Sequence, residues 1–216
     1  MLNHVLNVFL TLIFFLALPS AQGQIKGGLL GGLNSSSIKG SDNIYFGSSS
    51  DQISEKSILG YSVGVFIHFN LGEKVQLRPE FHYSTQGGLS RYEDSSPPYR
   101  EDVTLSLNYV KLPILASVRM HDNFSLLLGP YVGLFLGGTM EVTIKESSEW
   151  PEFTFNEPIE FDEFDNNLDM GMIVGTEYVF HRNLSFHARY SLGLRNIHPE
   201  TDSTNRILHL LVAYNL

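Results

Sequence analysis

Apolar and polar residues alternate strictly along several segments of this chain. In residues 75–85 the odd positions carry Val75, Leu77, Pro79, Phe81 and Tyr83, while the even positions are polar. A period of two is typical of a β-strand with one apolar face, and no segment shows the 3.6-residue period of a helix. The pattern therefore predicts an all-β fold.

Eight such segments can be identified. They are residues 24–34, 60–70, 75–85, 105–118, 124–136, 168–180, 184–195 and 206–216. In the fourth segment, Pro113 is expected to mark a bulge or an edge, which leaves open which residues share a face.

The connections between these strands alternate between short and long. Residues 71–74, 120–123 and 181–183 are short, whereas residues 35–59, 86–104, 137–167 and 196–205 are long. Outer-membrane barrels have short periplasmic turns and long external loops, and their strands need about 9 to 11 residues to cross the bilayer. The sequence predicts an eight-stranded antiparallel up-and-down transmembrane β-barrel, with both chain ends on the short-turn side.

The first 23 residues have the features of a signal peptide. Residues 5–18 form an apolar run that is too short to span a membrane, and small residues, Ala21 and Gly23, follow it. We expect cleavage after Gly23, so that residues 24–216 form the exported barrel domain in the outer membrane.

Composition excludes several other classes. The chain has no cysteine, which excludes a disulfide scaffold and a thiolate metal site. Its net charge of -9, without any basic run, argues against nucleic acid as a partner. We predict no cofactor and no bound metal.

Six fragments, in this order and spacing, resemble the PorT-like outer-membrane β-barrel family of Bacteroidota-type Gram-negative cells. The fragments are residues 31–34 (GGLN), 60–65 (GYSVGV), 77–88 (LRPEFHYSTQGG), 108–113 (NYVKLP), 128–133 (LGPYVG) and 189–197 (RYSLGLRNI). The resemblance implies an eight-stranded barrel in the outer membrane. It does not imply one activity, although some members are linked to secretion and gliding machinery. The final strand, with Tyr214 and Leu216 at its end, resembles the signal that the barrel insertion machinery reads.

If the apolar faces contact lipid, the polar faces point into the lumen. An eight-stranded barrel is just wide enough for side chains to fill its interior, and charges buried there must be paired. The residues predicted for this network are Arg78, Glu80, His82, Glu177, His187, Arg189, Arg195 and His209. A structural network is the preferred interpretation, and a gated conduit in which Arg and Glu exchange partners is the alternative.

The third long loop combines acidic and aromatic residues. Residues 141–165 carry a charge of -8, from nine acidic residues and Lys145. The residues concerned are Glu141, Glu146, Glu149, Trp150, Glu152, Phe153, Phe155, Glu157, Glu160, Phe161, Asp162, Glu163 and Asp165. This loop is either a solvated surface hairpin or a docking surface for a basic protein partner.

The sequence thus predicts a non-enzymatic structural or interaction protein, in contact with outer-membrane lipid, that acts through its external loops. Three alternatives stay open. They are a narrow channel or transport component, a lipid-modifying enzyme that uses His and Ser, and a soluble periplasmic lipocalin-like binder.

Overall fold

The computed structural model describes residues 26–40, 53–95, 98–145, 152–159, 167–197 and 202–216. Ten strands make up nearly all of this part of the chain. They are β1 (Lys26–Gly40), β2 (Ile53–Lys56), β3 (Ile58–Asn70), β4 (Val75–Ser95), β5 (Pro98–His121), β6 (Phe124–Lys145), β7 (Phe153–Ile159), β8 (Leu168–His181), β9 (Leu184–Gly193) and β10 (Ser203–Asn215). Within these ranges no helix is long and apolar enough to cross a bilayer. The predicted leader, residues 1–23, lies outside the described residues.

Eight of the strands close into a ring. The ring order is β1, β3, β4, β5, β6, β8, β9 and β10, and every pair of neighbours is antiparallel. The pairing of Gly28 with Asn215 and of Gly40 with Ser203 joins β1 to β10 and closes the barrel. The predicted eight-stranded up-and-down barrel is confirmed.

The predicted short connections lie together at one end of the barrel. Residues 71–74, 122–123 and 182–183 join β3 to β4, β5 to β6 and β8 to β9. Lys26 pairs with His68 at this end, and Asn215 lies beside them. We call it the short-turn end.

At the opposite end, much of what the sequence predicts as loop is strand. Residues 86–95 and 98–104 form the parts of β4 and β5 farthest from the short-turn end, which pair as far as Ser95 and Pro98, and β6 continues to Lys145. Strand β7 pairs with β6 and strand β2 pairs with β4. We call this region, made of β2, β7 and residues 87–95, 98–107 and 138–145, the protruding sheet. Loop prediction failed here because Ser, Asp, Glu and Arg are rare in membrane strands but normal in a solvated sheet.

Below the protruding sheet, the outer surface of the ring is apolar. Outward side chains such as Val65, Leu128 and Val174 are about half exposed, although they are aliphatic. Where the protruding sheet begins, the outward positions carry polar residues instead, including Asn108 and Thr139. A continuous exposed apolar band of this kind needs a non-aqueous surrounding.

The strand whose phase the sequence left open is β5. Its odd residues, from Leu105 to Ser117, face inward, and Pro113 pairs with Tyr131 in the interior of the sheet. The expected bulge or edge at Pro113 is therefore wrong. The pairing of β5 with β6 is irregular at Arg119 and His121 and also at Asn108 and Tyr109. The latter pair lies opposite Gly137, whose φ of 134° is a conformation that favours glycine.

The interior contains apolar clusters as well as polar side chains. Leu30, Phe66, Leu211 and Ala213 form one cluster, and Leu115, Leu127, Tyr131 and Ile173 form another. The upper interior is filled by one apolar cluster, made of Leu105, Leu107, Tyr109, Phe135 and Ile197. Inward-facing residues are thus polar only in part of the barrel, because the upper interior is shielded from lipid and water alike and can be filled by an ordinary apolar core.

Candidate functional site in the barrel lumen and the protruding sheet

A carboxylate at the centre of the lower lumen is held by two arginines. Glu80 accepts a bidentate pair of hydrogen bonds from Arg189, at 2.6 Å and 3.0 Å, and its Oε1 lies 2.6 Å from Nε of Arg78. Nε2 of His82 is 2.8 Å from the other carboxylate oxygen. All four side chains are almost fully buried. Charge-assisted bidentate bonds of this type are strong and fix geometry.

Arg78 connects this carboxylate to a second one. Its Nη1 donates to Oε1 of Glu177 at 3.2 Å, and its guanidinium lies 3.7 Å from the ring centre of Phe66, which also faces the lumen. Two arginines and two glutamates therefore make the cluster neutral, as a buried set of charges must be.

His187 lies in a directed chain of hydrogen bonds. Nη2 of Arg189 donates to Nδ1 of His187 at 3.1 Å, and Nε2 of His187 is 2.9 Å from Oγ of Ser185. The Ser185 hydroxyl donates to Glu177 at 3.0 Å. Since Arg189 can only donate, Nδ1 accepts, and the neutral ring carries its proton on the nitrogen that faces Ser185.

A second charged cluster lies higher in the lumen. Nζ of Lys111 is 3.2 Å from Oδ2 of Asp169 and 4.5 Å from the ring centre of Tyr131. Tyr131, Gln86 and Asn205 donate hydrogen bonds to the same carboxylate at 3.2 to 3.4 Å.

Sequence reasoning missed this second cluster. Lys111 lies on β5, where the phase was open, and Asp169 is the second residue of the strand predicted after the long third loop. The one usable signal was a single lysine within residues 105–118, since an unpaired lysine facing lipid would be costly.

Of the eight residues predicted for the lumen, seven are buried inside it. Arg78, Glu80, His82, Glu177, His187 and Arg189 form the lower cluster, and His209, bonded to Ser191 at 3.0 Å, lies on β10. Arg195 is different: it follows the end of β9 and is half-buried. The alternation that suggested a lumen position ends with the strand at Gly193.

An open cavity of about 520 Å³ occupies the short-turn end. Lys26, Arg119 and Arg182 line it together with His68 and Glu177. Because Glu177 is also bonded to Arg78, this cavity ends at the lower cluster. Among the described residues, no group of three or more His, Cys, Asp or Glu side chains is arranged to hold a metal ion.

Part of the predicted acidic and aromatic loop belongs to the protruding sheet. Glu141 lies on β6, Glu152 directly precedes β7, and β7 carries Phe153, Phe155 and Glu157, all of them exposed. The other predicted members lie outside the described residues: Glu146, Glu149, Trp150, Glu160, Phe161, Asp162, Glu163 and Asp165.

An ion-pair cluster joins β4 to β5 within the protruding sheet. Asp102 accepts two hydrogen bonds from Arg91, at 2.6 Å and 2.9 Å, and further bonds from Arg100. Burial by itself would raise the pKa of the Asp102 carboxyl, but the bonds from Arg91 and Arg100 outweigh it and hold that pKa below its ordinary value.

A closed antiparallel ring with an apolar outer band and a charge-paired interior defines a transmembrane β-barrel with a filled lumen. The family model described as outer membrane protein beta-barrel domain matches residues 20–198 of the chain. The protein belongs to this family. Membership supports the outer membrane as its location. No curated protein sequence matches the chain.

Several solved structures are similar to this chain at low identity. Ail, the attachment invasion locus protein of Yersinia pestis, is 15% identical with a TM-score of 0.47, over 88% of this chain and 98% of that one. Neisserial surface protein A is 12% identical with a TM-score of 0.47, over 87% and 96%. OprG of Pseudomonas aeruginosa is 12% identical with a TM-score of 0.32, over 89% and 94%.

Proposed function

We propose that this protein is a closed, non-enzymatic outer-membrane barrel that presents the protruding sheet as a docking surface for another protein. One observation carries the proposal: the exposed fractions of Phe153 and Phe155 are 64% and 37% on a strand that stands clear of the apolar band. Exposed aromatic side chains with acidic neighbours supply contact area and electrostatic steering for a partner.

The lower cluster supports a closed lumen. The side chains of Arg78, Glu80 and Arg189 are at most 1% exposed, and they bridge β4 and β9 across the interior. Opening a path would separate charges that water does not reach, which is costly unless new partners replace them. The lumen is accordingly a structural plug.

The orientation of the His187 chain supports a non-enzymatic protein. In hydrolytic enzymes the histidine accepts the proton of the nucleophilic hydroxyl and becomes a cation. Here the ring nitrogen near Ser185 carries the proton, and the guanidinium of Arg189 on the other side disfavours a second positive charge. Ser185 is also fully buried, out of reach of a lipid substrate.

A narrow conduit is the second candidate function. The cavity at the short-turn end favours it, because this cavity ends at Glu177, one of two carboxylates that Arg78 contacts. An arginine between two carboxylates could change partners and open the plug.

A role beside a secretion or gliding apparatus, as in some PorT-like proteins, is a finer form of the docking proposal. Its support is the resemblance of the six sequence fragments to that family. The barrel insertion machinery and outer-membrane lipid are the other partners that we expect. We further propose that a leader, residues 1–23, directs export.

Conductance across a planar bilayer separates the two candidates. The wild-type barrel and the variants Arg78→Gln and Glu177→Gln are compared, with Glu93→Gln on the exposed protruding sheet as a control. A closed plug gives no steps for the wild type. Steps in the wild type that disappear or change size in Arg78→Gln but not in Glu93→Gln would favour the conduit.

Site-specific cross-linking in intact cells tests docking. A photo-reactive amino acid is placed at Phe153, and at Leu128 in the apolar band as a control. A discrete protein adduct at position 153 alone supports the proposal. Lipid adducts at both positions, with no protein adduct, would contradict it.

A further inference from the structure

Within the part of the chain that the structure describes, strand β7 is paired along one of its two edges. It pairs with β6 from Gly138 to Ile144, and no other strand in the described ranges contacts its second edge. Residues 153–158 are exposed on both faces. Among the described strands, this second edge therefore has backbone N–H and C=O groups without a strand partner, as an edge strand does.

The side chains of β7 continue cross-strand rows that begin in the barrel. Phe155 lies opposite Val142, which lies opposite Val103, so the three form one row on the inner face of the protruding sheet. Val103 and Val142 are buried and Phe155 is not. An additional strand beside β7 would extend this row and cover Phe155.

The charges beside this edge select the occupant. Glu152 and Glu157 flank the two phenylalanines, and both are exposed. A second copy pairing antiparallel about Phe155 would place Glu157 opposite Phe153 and Glu152 opposite Pro158, so that no carboxylate would gain a basic partner. A segment with Lys or Arg opposite these glutamates would instead be attracted.

We propose that β7 binds its partner by strand addition, an inference that rests on the proposed docking function. The partner contributes an extended segment that lies antiparallel to residues 152–157, with apolar side chains opposite Phe153 and Phe155 and basic side chains opposite Glu152 and Glu157. Backbone hydrogen bonds hold such a segment, and the alternating side chains give selectivity. Pro158, which has no N–H, limits the usable edge at its other end.

The test uses the full barrel in lipid nanodiscs and a defined probe. The probe is the fluorescent, end-blocked hexapeptide Lys-Thr-Val-Thr-Val-Lys, whose residues fall opposite residues 157 to 152. Two control peptides each carry one backbone N-methyl group, one at a threonine and the other at the neighbouring valine. Because successive N–H groups of a strand point to opposite sides, only one of these two peptides loses a hydrogen bond to β7. A third control replaces both lysines with glutamate.

Strand addition predicts saturable binding, measured by fluorescence anisotropy. The dissociation constant should rise at least about tenfold with one N-methyl probe and remain nearly unchanged with the other, since their side chains are alike. The glutamate probe should lose binding. The double variant Glu152→Gln/Glu157→Gln should weaken the lysine probe about tenfold, whereas Glu93→Gln on β4 should not.

The inference is overturned if both N-methyl probes bind as well as the parent, or if no probe shows saturable binding. In the first case, loss of binding on deleting residues 146–160 would keep the protruding sheet as a docking surface and reject strand addition alone. A protein adduct at position 153 in cells, together with no peptide binding, would likewise keep the docking surface and reject strand addition. Absence of both would reject the proposed function as well.

Discussion

Arg189 on β9 and Glu80 on β4 are 109 residues apart in the chain and form a bidentate ion pair across the lower lumen. The contact joins two strands that are not neighbours in the ring. It therefore ties opposite walls of the barrel together. Glu80 also contacts Arg78, so this carboxylate is shared by two buried cations, and Glu177 supplies the second negative charge of the cluster.

Replacing Glu80 tests its role in stability. Glu80→Gln leaves two guanidinium groups without their shared counter-charge, and we expect a loss of about 3–5 kcal/mol in the free energy of unfolding. Reversible urea unfolding in lipid vesicles measures it. Glu93→Gln, on an exposed side chain, should change little. Replacing all four charged residues, Glu80, Arg78, Arg189 and Glu177, by apolar residues should lose less than Glu80→Gln, and a larger loss would count against this explanation.

A charge on the outer band tests the lipid-facing assignment. Val65→Arg or Leu192→Arg places a cation in hydrocarbon, which should reduce the free energy of unfolding by about 2–4 kcal/mol. The same measurement on Thr139→Arg, above the band, should show a change near zero. Equal effects at the two depths would be incompatible with the band.

The bulge in β6 requires glycine for its backbone conformation. Gly137 has a φ of 134° and open space around an added Cβ, with the Ile159 carbonyl oxygen nearest at 3.5 Å. Gly137→Ala should therefore destabilise the barrel through backbone strain by about 1–3 kcal/mol.

Gly31→Ala is the matched control for the bulge. Its nearest neighbour, the Ser62 carbonyl oxygen, is 3.6 Å away, and its φ is ordinary. Its free energy of unfolding should change by a few tenths of a kcal/mol or less. A similar loss in both variants would show that strain at residue 137 is not the cause.

The protruding sheet should be less protected in acid than the barrel. Because the pKa of Asp102 is depressed in the folded state, its contribution is present above the unfolded pKa of about 3.9 and is lost as the pH falls through the lower folded value. Hydrogen exchange at a series of pH values should show earlier loss of protection in residues 98–107 than in residues 110–118.

Asp102→Asn is the control for this pH effect. The amide keeps the shape of the side chain but cannot titrate, so the difference between the two regions should no longer depend on pH. A difference that persists in Asp102→Asn would assign the acid sensitivity to other groups, such as Glu93 or Glu101 nearby.

The sequence alone determined the strand periods, the short connections at one end of the barrel, and the outward face of most strands. These follow from local chemistry, because a membrane strand must present apolar side chains to lipid at every second position. The inward set of Arg78, Glu80, His187 and Arg189 follows from the same alternation.

Tertiary structure decided what alternation does not encode. The pairing of Arg189 with Glu80 depends on barrel closure, and the inward phase of β6 changes at the bulge at Gly137. The strands of the protruding sheet lie beyond the bilayer, where lipid no longer imposes a pattern and pairing with neighbouring strands stabilises polar sequences. That is why the sequence predicts a loop over residues 86–104, although residues 86–95 and 98–104 form strands in the folded protein.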